Sequence, residues 1–185
     1  MGTGVLPQQK LYKILEEVKH LPGDYAEVGV ANGASFKNLV PQALKHNKKA
    51  WAFDSFKGMD KLTNLDHPRY PEGRFNVGGV QGFISKIPFK HGIDYYTREG
   101  FIPHCFEEVN TTFSFIYLDV DTYTPTKKAL PWLWNHLTVK GYFLFDDYFK
   151  EGNWGGPSEA INEFLSQKLY KELNYDNNQL LVQKL

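Results

Sequence analysis

Two acids and two glycines near the start of the chain have a spacing that suits a nucleoside-sized ligand. The segment Glu27-Val28-Gly29-Val30-Ala31-Asn32-Gly33 follows an apolar run and precedes helical spacing. In an open parallel sheet, a glycine turn between a strand and a helix lets backbone and helix N-terminus approach a ligand. It is neither Gly-x-Gly-x-x-Gly nor a P-loop, so it lacks the glycine density that a pyrophosphate needs. A carboxylate at Glu27 would repel a pyrophosphate and attract the sulfonium or amino group of S-adenosylmethionine. Asp54 ends the next apolar run, 21 residues beyond Gly33. An acid at that spacing can accept hydrogen bonds from ribose hydroxyls. Taken singly, the glycines are also an ordinary turn and Asp54 an ordinary solvated strand end.

A second set is acidic throughout. Tyr117-Leu118-Asp119-Val120-Asp121 and Phe145-Asp146-Asp147-Tyr148 both put acids at the end of an apolar run. Acids in such places are costly unless paired or bound to a cation. If the runs are adjacent parallel strands, Asp119, Asp146 and Asp147 meet at one sheet edge. There they offer three oxygen ligands to Mg2+, which prefers carboxylate and water oxygen. A metal so held could orient two vicinal hydroxyls and lower the pKa of one, and methyl transfer would then need little beyond positioning. The plainer alternative is helix capping or surface pairing with Lys and Arg.

The elements that must position these residues follow from periodicity. Leu11, Ile14, Leu15 and Val18 predict a helix over residues 8–20, stopped by Pro22-Gly23. Strands are predicted at 25–30, 50–54, 94–98, 113–119 and 141–146, with helices at about 35–46, 80–87, 126–137 and 157–167. Pro125 lies near the first turn of the third of these helices. Residues 171–175 and 179–184 predict two last strands about the turn Asp176-Asn177-Asn178. The alternation implies an α/β, Rossmann-like, doubly wound, mostly parallel sheet with helices on both faces and an antiparallel C-terminal edge strand. Residues 57–80 read as a long loop, either a lid carrying His67, Arg69, Tyr70 and Arg74 or a solvent loop.

The ordered segments EVGVANGAS, AFDSFKGM, REGFI, IYLDVDTYTPTKKAL, GYFLFDDY and GPSEAINEF resemble the macrocin O-methyltransferase family across roughly residues 22–167. These are Mg2+-dependent enzymes that methylate sugar hydroxyls, with relatives acting on other small hydroxylated compounds. The most specific parts are Asp-x-Asp-x-Tyr, Asp-Asp-Tyr and the 27-residue step from Asp119 to Asp146. The resemblance implies a class I methyltransferase fold, S-adenosylmethionine as cofactor and Asp119, Asp146 and Asp147 as metal ligands. It gives Asp119 a second role as candidate base beside the cofactor. Glu27 and Asp54 become the cofactor acids, with Gly29 and Gly33 in the cofactor turn. Ser35 and Ser55 stand beside the methionine and nucleoside parts. Val120 departs from the family's usual Asp-Gly-Asp, and the family's members usually carry extra N-terminal segments that help cover the substrate.

Bulk properties bound the remaining choices. At 185 residues, 42% hydrophobic and 23% charged, the chain suits one soluble domain spanning 1–185. Twenty-one basic and 21 acidic residues leave no positive surplus for nucleic acid or an anionic membrane. Neither a signal-type N-terminus nor an apolar run of ~18 residues is present, so a cytoplasmic location without a membrane span is expected. The aromatic excess of 14 Phe, 11 Tyr and 4 Trp reads mainly as core, with a share for a pocket, and an exposed sheet edge is compatible with a homodimer. His104 reads as a surface or capping residue, His136 as packed near Trp132 and Trp134, and His20 and His46 as helix ends. Cys105, the one cysteine, lacks a nucleophile's signature. The turn at Trp154-Gly155-Gly156 borders a substrate pocket with Tyr148 or is a plain loop. Metal-independent N- or O-methylation, nicotinamide-dependent redox chemistry and a non-catalytic binding module remain as competing readings.

Overall fold

The computed structural model describes residues 6–66, 71–149, 155–176 and 178–185. The elements run α1 (Gln8–Val18), β1 (Asp24–Val28), α2 (Phe36–Lys45), β2 (Ala50–Asp54), α3 (Gly79–Ile84), β3 (Tyr95–Glu99), β4 (Phe113–Leu118), α4 (Tyr123–His136), β5 (Leu137–Phe145), α5 (Gly155–Leu165), β6 (Tyr170–Asp176) and β7 (Gln179–Lys184). A short 3-10 turn, His104–Phe106, joins β3 to β4. The seven strands pair in the order β3-β2-β1-β4-β5-β7-β6. β1 to β5 are parallel, β7 is antiparallel to β5, and β6 is antiparallel to β7. The chain winds outward from β1 to β3 and then returns to β4 on the other side of β1. The switch point therefore lies between the ends of β1 and β4, where a ligand crevice opens in such sheets.

Alternation along the strands feeds two apolar layers. Ile116 and Leu118 point to the side that α4 and α5 cover, with Leu130, Leu133 and Ile161. Phe115 and Tyr117 point to the side that α1 and α2 cover, with Leu11, Leu15 and Leu39. Most aromatic rings are core: Trp132 stacks on Phe106 at 4.4 Å and on His136 at 3.7 Å.

Two strand boundaries differ from expectation for physical reasons. β1 stops at Val28, not Val30, because Gly29 takes a φ of 86°. β5 starts at Leu137, not Gly141, because the residue closing α4 is already extended and a register shift against β4 absorbs the irregularity. The hairpin places β7 inside the sheet and β6 at its edge. Among the described residues, no helix is long and apolar enough to cross a membrane.

Candidate active site at the carboxyl ends of the strands

The first half of the site is built on β1 and β2. Glu27 is only 2% exposed and accepts a hydrogen bond from the Ser35 hydroxyl at the start of α2. Burial pushes its carboxyl up to about 8; the Ser35 bond offsets part of this, and the nearby carboxylates of Asp54 and Asp146 add to it. Asp54 organises the turn opposite. Its Oδ2 accepts the backbone N–H groups of Val30 and Ala31, both at 2.9 Å, and its Oδ1 accepts that of Phe56 at 2.7 Å. A carboxylate has about four acceptor positions, so capacity remains for a ligand hydroxyl. The Ser55 hydroxyl donates to the Gly58 carbonyl at 2.8 Å and accepts the Lys57 N–H at 3.1 Å, closing its own turn.

Both glycines of the turn answer to protein neighbours. A side chain on Gly29 would collide with the Asp119 carbonyl, and one on Gly33 with Ile87 and Phe83. Both have left-handed φ, 86° and 78°. Ala31, Phe56, Asp121 and Asp147 also take positive φ between 43° and 59°, each just beyond a strand end. Such conformations persist only where surrounding contacts enforce them, and they gather at ligand sites.

The second half is the acidic set. β4 and β5 are parallel neighbours, so Asp119 and Asp146 leave the sheet side by side. The Asp119 N–H donates to the Val28 carbonyl and the Asp146 N–H to the Leu118 carbonyl, both at 2.9 Å. Carboxylate oxygens of Asp119, Asp146 and Asp147 lie within 4.8 Å of one another. Burial holds the Asp119 carboxyl well above the usual range, and Asp146, Asp121, Asp147 and Glu27 raise it further. Asp146 is pushed up to about 7 by burial and by Asp147, against the opposing effects of Gln179, Tyr117 and Lys10. Among the described residues, no Lys or Arg stands within ion-pair distance of the three. Mutually repelling oxygens without a paired cation suit a hard divalent ion.

The neighbouring contacts hold this set from two sides. Gln179 donates through Nε2 to Asp146 Oδ1 at 2.7 Å, and the Tyr117 hydroxyl donates to Asp119 Oδ2 at 3.3 Å. The Tyr148 N–H donates to the Asn178 carbonyl at 2.9 Å, and the Ser158 hydroxyl donates to the Asp147 carbonyl at 3.3 Å. Gln179 could not be singled out from sequence, because it joins the site only through the C-terminal hairpin.

The described parts of the segment between β2 and α3 are anchored. The Met59 N–H donates to the Arg74 carbonyl, and the Gly73 N–H to the Met59 carbonyl, both at 2.9 Å. Asp66 accepts the Tyr123 N–H at 2.6 Å, capping the first turn of α4 two residues beyond Asp121. None of these three contacts carries a sequence signal. His67, Arg69, Tyr70 and Trp154 lie outside the described residues, and Arg74 rests over the Phe75 ring.

The discounted residues stay apart from the site's chemistry. His104 is exposed and 2.9 Å from Glu107. The His46 ring is buried between the Tyr25 hydroxyl and Glu16. Cys105 is 3% exposed, and burial pushes its thiol up to about 12.

No family model matches the sequence. The mycinamicin III 3''-O-methyltransferase of Micromonospora griseorubida is 27% identical over 147 residues, 69% of this chain and 56% of the relative. The chain thus spans about half the length of that curated relative. Among solved structures, the O-methyltransferase NovP superposes with a TM-score of 0.76 at 19% identity, over 96% of this chain and 78% of NovP. The chain has the class I methyltransferase fold. The calicheamicin methyltransferase CalS11, described in its apo form as a TDP-rhamnose 3'-O-methyltransferase, agrees, with a TM-score of 0.73 at 20% identity over 96% of this chain and 80% of CalS11. These matches bear out the resemblance to macrocin-type O-methyltransferases that the motifs carry. In this methyltransferase fold, both acid sets stand at the switch-point edge.

Proposed function

We propose that this chain is an S-adenosylmethionine-dependent O-methyltransferase acting on a hydroxyl of a sugar-like small molecule, with Mg2+ held by Asp119, Asp146 and Asp147. The observation that carries the reading is the convergence of these three carboxylates within 4.8 Å at the carboxyl edge of a methyltransferase-fold sheet. The sugar-type acceptor draws support from the TDP-rhamnose methyltransferase among the similar structures and from the O-methyl transfer named for the mycinamicin relative.

S-adenosylmethionine supplies an electrophilic methyl group, and Mg2+ supplies Lewis acidity to an acceptor hydroxyl. The chain's own residues supply the rest. Glu27 presents a buried carboxyl to the cationic methionine end, whose positive charge would favour the ionised form. Asp54 fixes the amides of the 29–33 turn and keeps acceptor capacity for the ribose. Gly29, Gly33 and Ser35 shape the wall between them, with Ser55 bracing the turn after β2. Asp119 has a second role as the acceptor of the hydroxyl proton, from its place beside the other two acids at the end of β4. Asp66 ties the segment after β2 to the first turn of α4, beside the acids. Balanced charge favours a free small molecule over nucleic acid as the acceptor.

Calorimetric titration with S-adenosylhomocysteine, in Mg2+ and then in EDTA, tests this. Micromolar binding of the nucleoside together with a separate Mg2+ signal is the expected result. Nucleoside binding without a Mg2+ signal removes the metal from the reading, and no nucleoside binding under either condition overturns it.

A further inference from the structure

Asp146 is held by a residue that no strand-end motif contains. Gln179 opens β7, where the hairpin brings it beside the end of β5, with Leu180 paired to Phe145. It is 5% exposed, and both ends of its amide are engaged. Nε2 donates to Asp146 Oδ1 at 2.7 Å, and Oε1 accepts from Lys10 Nζ at 2.9 Å. An ammonium can only donate, so Lys10 fixes which end of the amide is oxygen. The NH2 end must then face the acid. Three elements distant in sequence, α1, β5 and β7, thus converge on one carboxylate.

Building on the proposed metal site, we infer that Gln179 is a positioning residue for metal binding, with Lys10 setting the direction of its amide. The bond to Oδ1 restrains the carboxylate within the three-acid set. The group that touches the acid is neutral, and the Lys10 ammonium stands one amide farther back. Partners of this kind commonly govern metal affinity by about 10–100-fold.

The test is Mg2+ titration by calorimetry of wild type, Gln179→Leu and Lys10→Met, each with S-adenosylhomocysteine bound, alongside the nucleoside affinity and the melting temperature. Gln179→Leu is expected to weaken Mg2+ by about tenfold or more while nucleoside affinity stays within about twofold. Lys10→Met weakens Mg2+ in the same direction by less, and it carries the test if Gln179→Leu does not fold. Unchanged Mg2+ affinity in the folded variants overturns the inference, as does parallel loss of Mg2+ and nucleoside binding. A wild type that binds nucleoside but no Mg2+ fails the metal reading itself, a distinct outcome.

Discussion

The carbonyl oxygen of Asp119 occupies the space that a side chain on Gly29 would need. The turn that follows β1 and the acid that follows β4 are therefore one packed unit, and the two halves of the site are mechanically joined. Gly29→Ala combines that collision with a φ of 86°. It is expected to cost ~3 kcal/mol or more, lowering the melting temperature by roughly 6–12 °C or preventing soluble expression. Thermal denaturation reads this directly, and a wild-type melting curve would falsify the account of the contact.

Asp54→Ala removes the acceptor of three backbone N–H groups. Loss of about 10–100-fold in S-adenosylhomocysteine affinity is expected, because the turn loses its shape as well as any ribose contact. Asp54→Asn keeps one carbonyl acceptor and should lie between the two. If the alanine variant binds as wild type does, Asp54 has no part in cofactor binding.

Asp146→Asn separates the two halves functionally. Turnover and the Mg2+ signal are expected to fall by at least about tenfold, with nucleoside affinity little changed. Calorimetry and a methyl-transfer assay on the same preparation decide it. Equal loss of nucleoside binding would make Asp146 a structural residue.

Glu27 gives a pH signature. Its folded carboxyl lies at about 8 against an ordinary 4.5, so the ligand-free fold binds more protons than the unfolded chain between those values. Stability associated with Glu27 is complete below the ordinary value and declines as pH rises toward 8. Glu27→Gln, which can still accept the Ser35 hydrogen bond, should therefore melt higher than wild type at pH 8, by about 2–4 °C or more, and the gap should close toward pH 5. A variant no more stable than wild type at pH 8 would remove burial as the cause.

Cys105 should be inert. Its thiol is buried and pushed up to about 12, so almost no thiolate is present at pH 8. A thiol-specific chromogenic reagent is expected to react only after denaturation. Rapid labelling of the folded protein contradicts the burial.

Strand ends were the legible part of this chain. Apolar runs closing on Asp54, Asp119 and Asp146 locate the carboxyl edge, because local patterning and sheet handedness leave few other arrangements. What Asp54 holds was not legible, since its partners are backbone amides of another turn and carry no sequence mark. Gln179 and Lys10 were hidden for the opposite reason. Their pairing spans 169 positions and exists only once β7 has entered the sheet. The loop at 57–80 read as open-ended because two backbone hydrogen bonds and the Asp66 cap are invisible to composition.

The antiparallel course of β7 has a practical result. That strand begins at Gln179 beside the acids and ends at Lys184, whose ammonium donates to the Trp134 carbonyl in the last turn of α4 and to the Leu137 carbonyl at the start of β5. Anything joined after Leu185, such as an affinity tag, a fusion partner or a linker to a solid support, emerges from the side remote from the acids. The protein can thus be tethered by that end with the carboxyl edge of its sheet facing free solution.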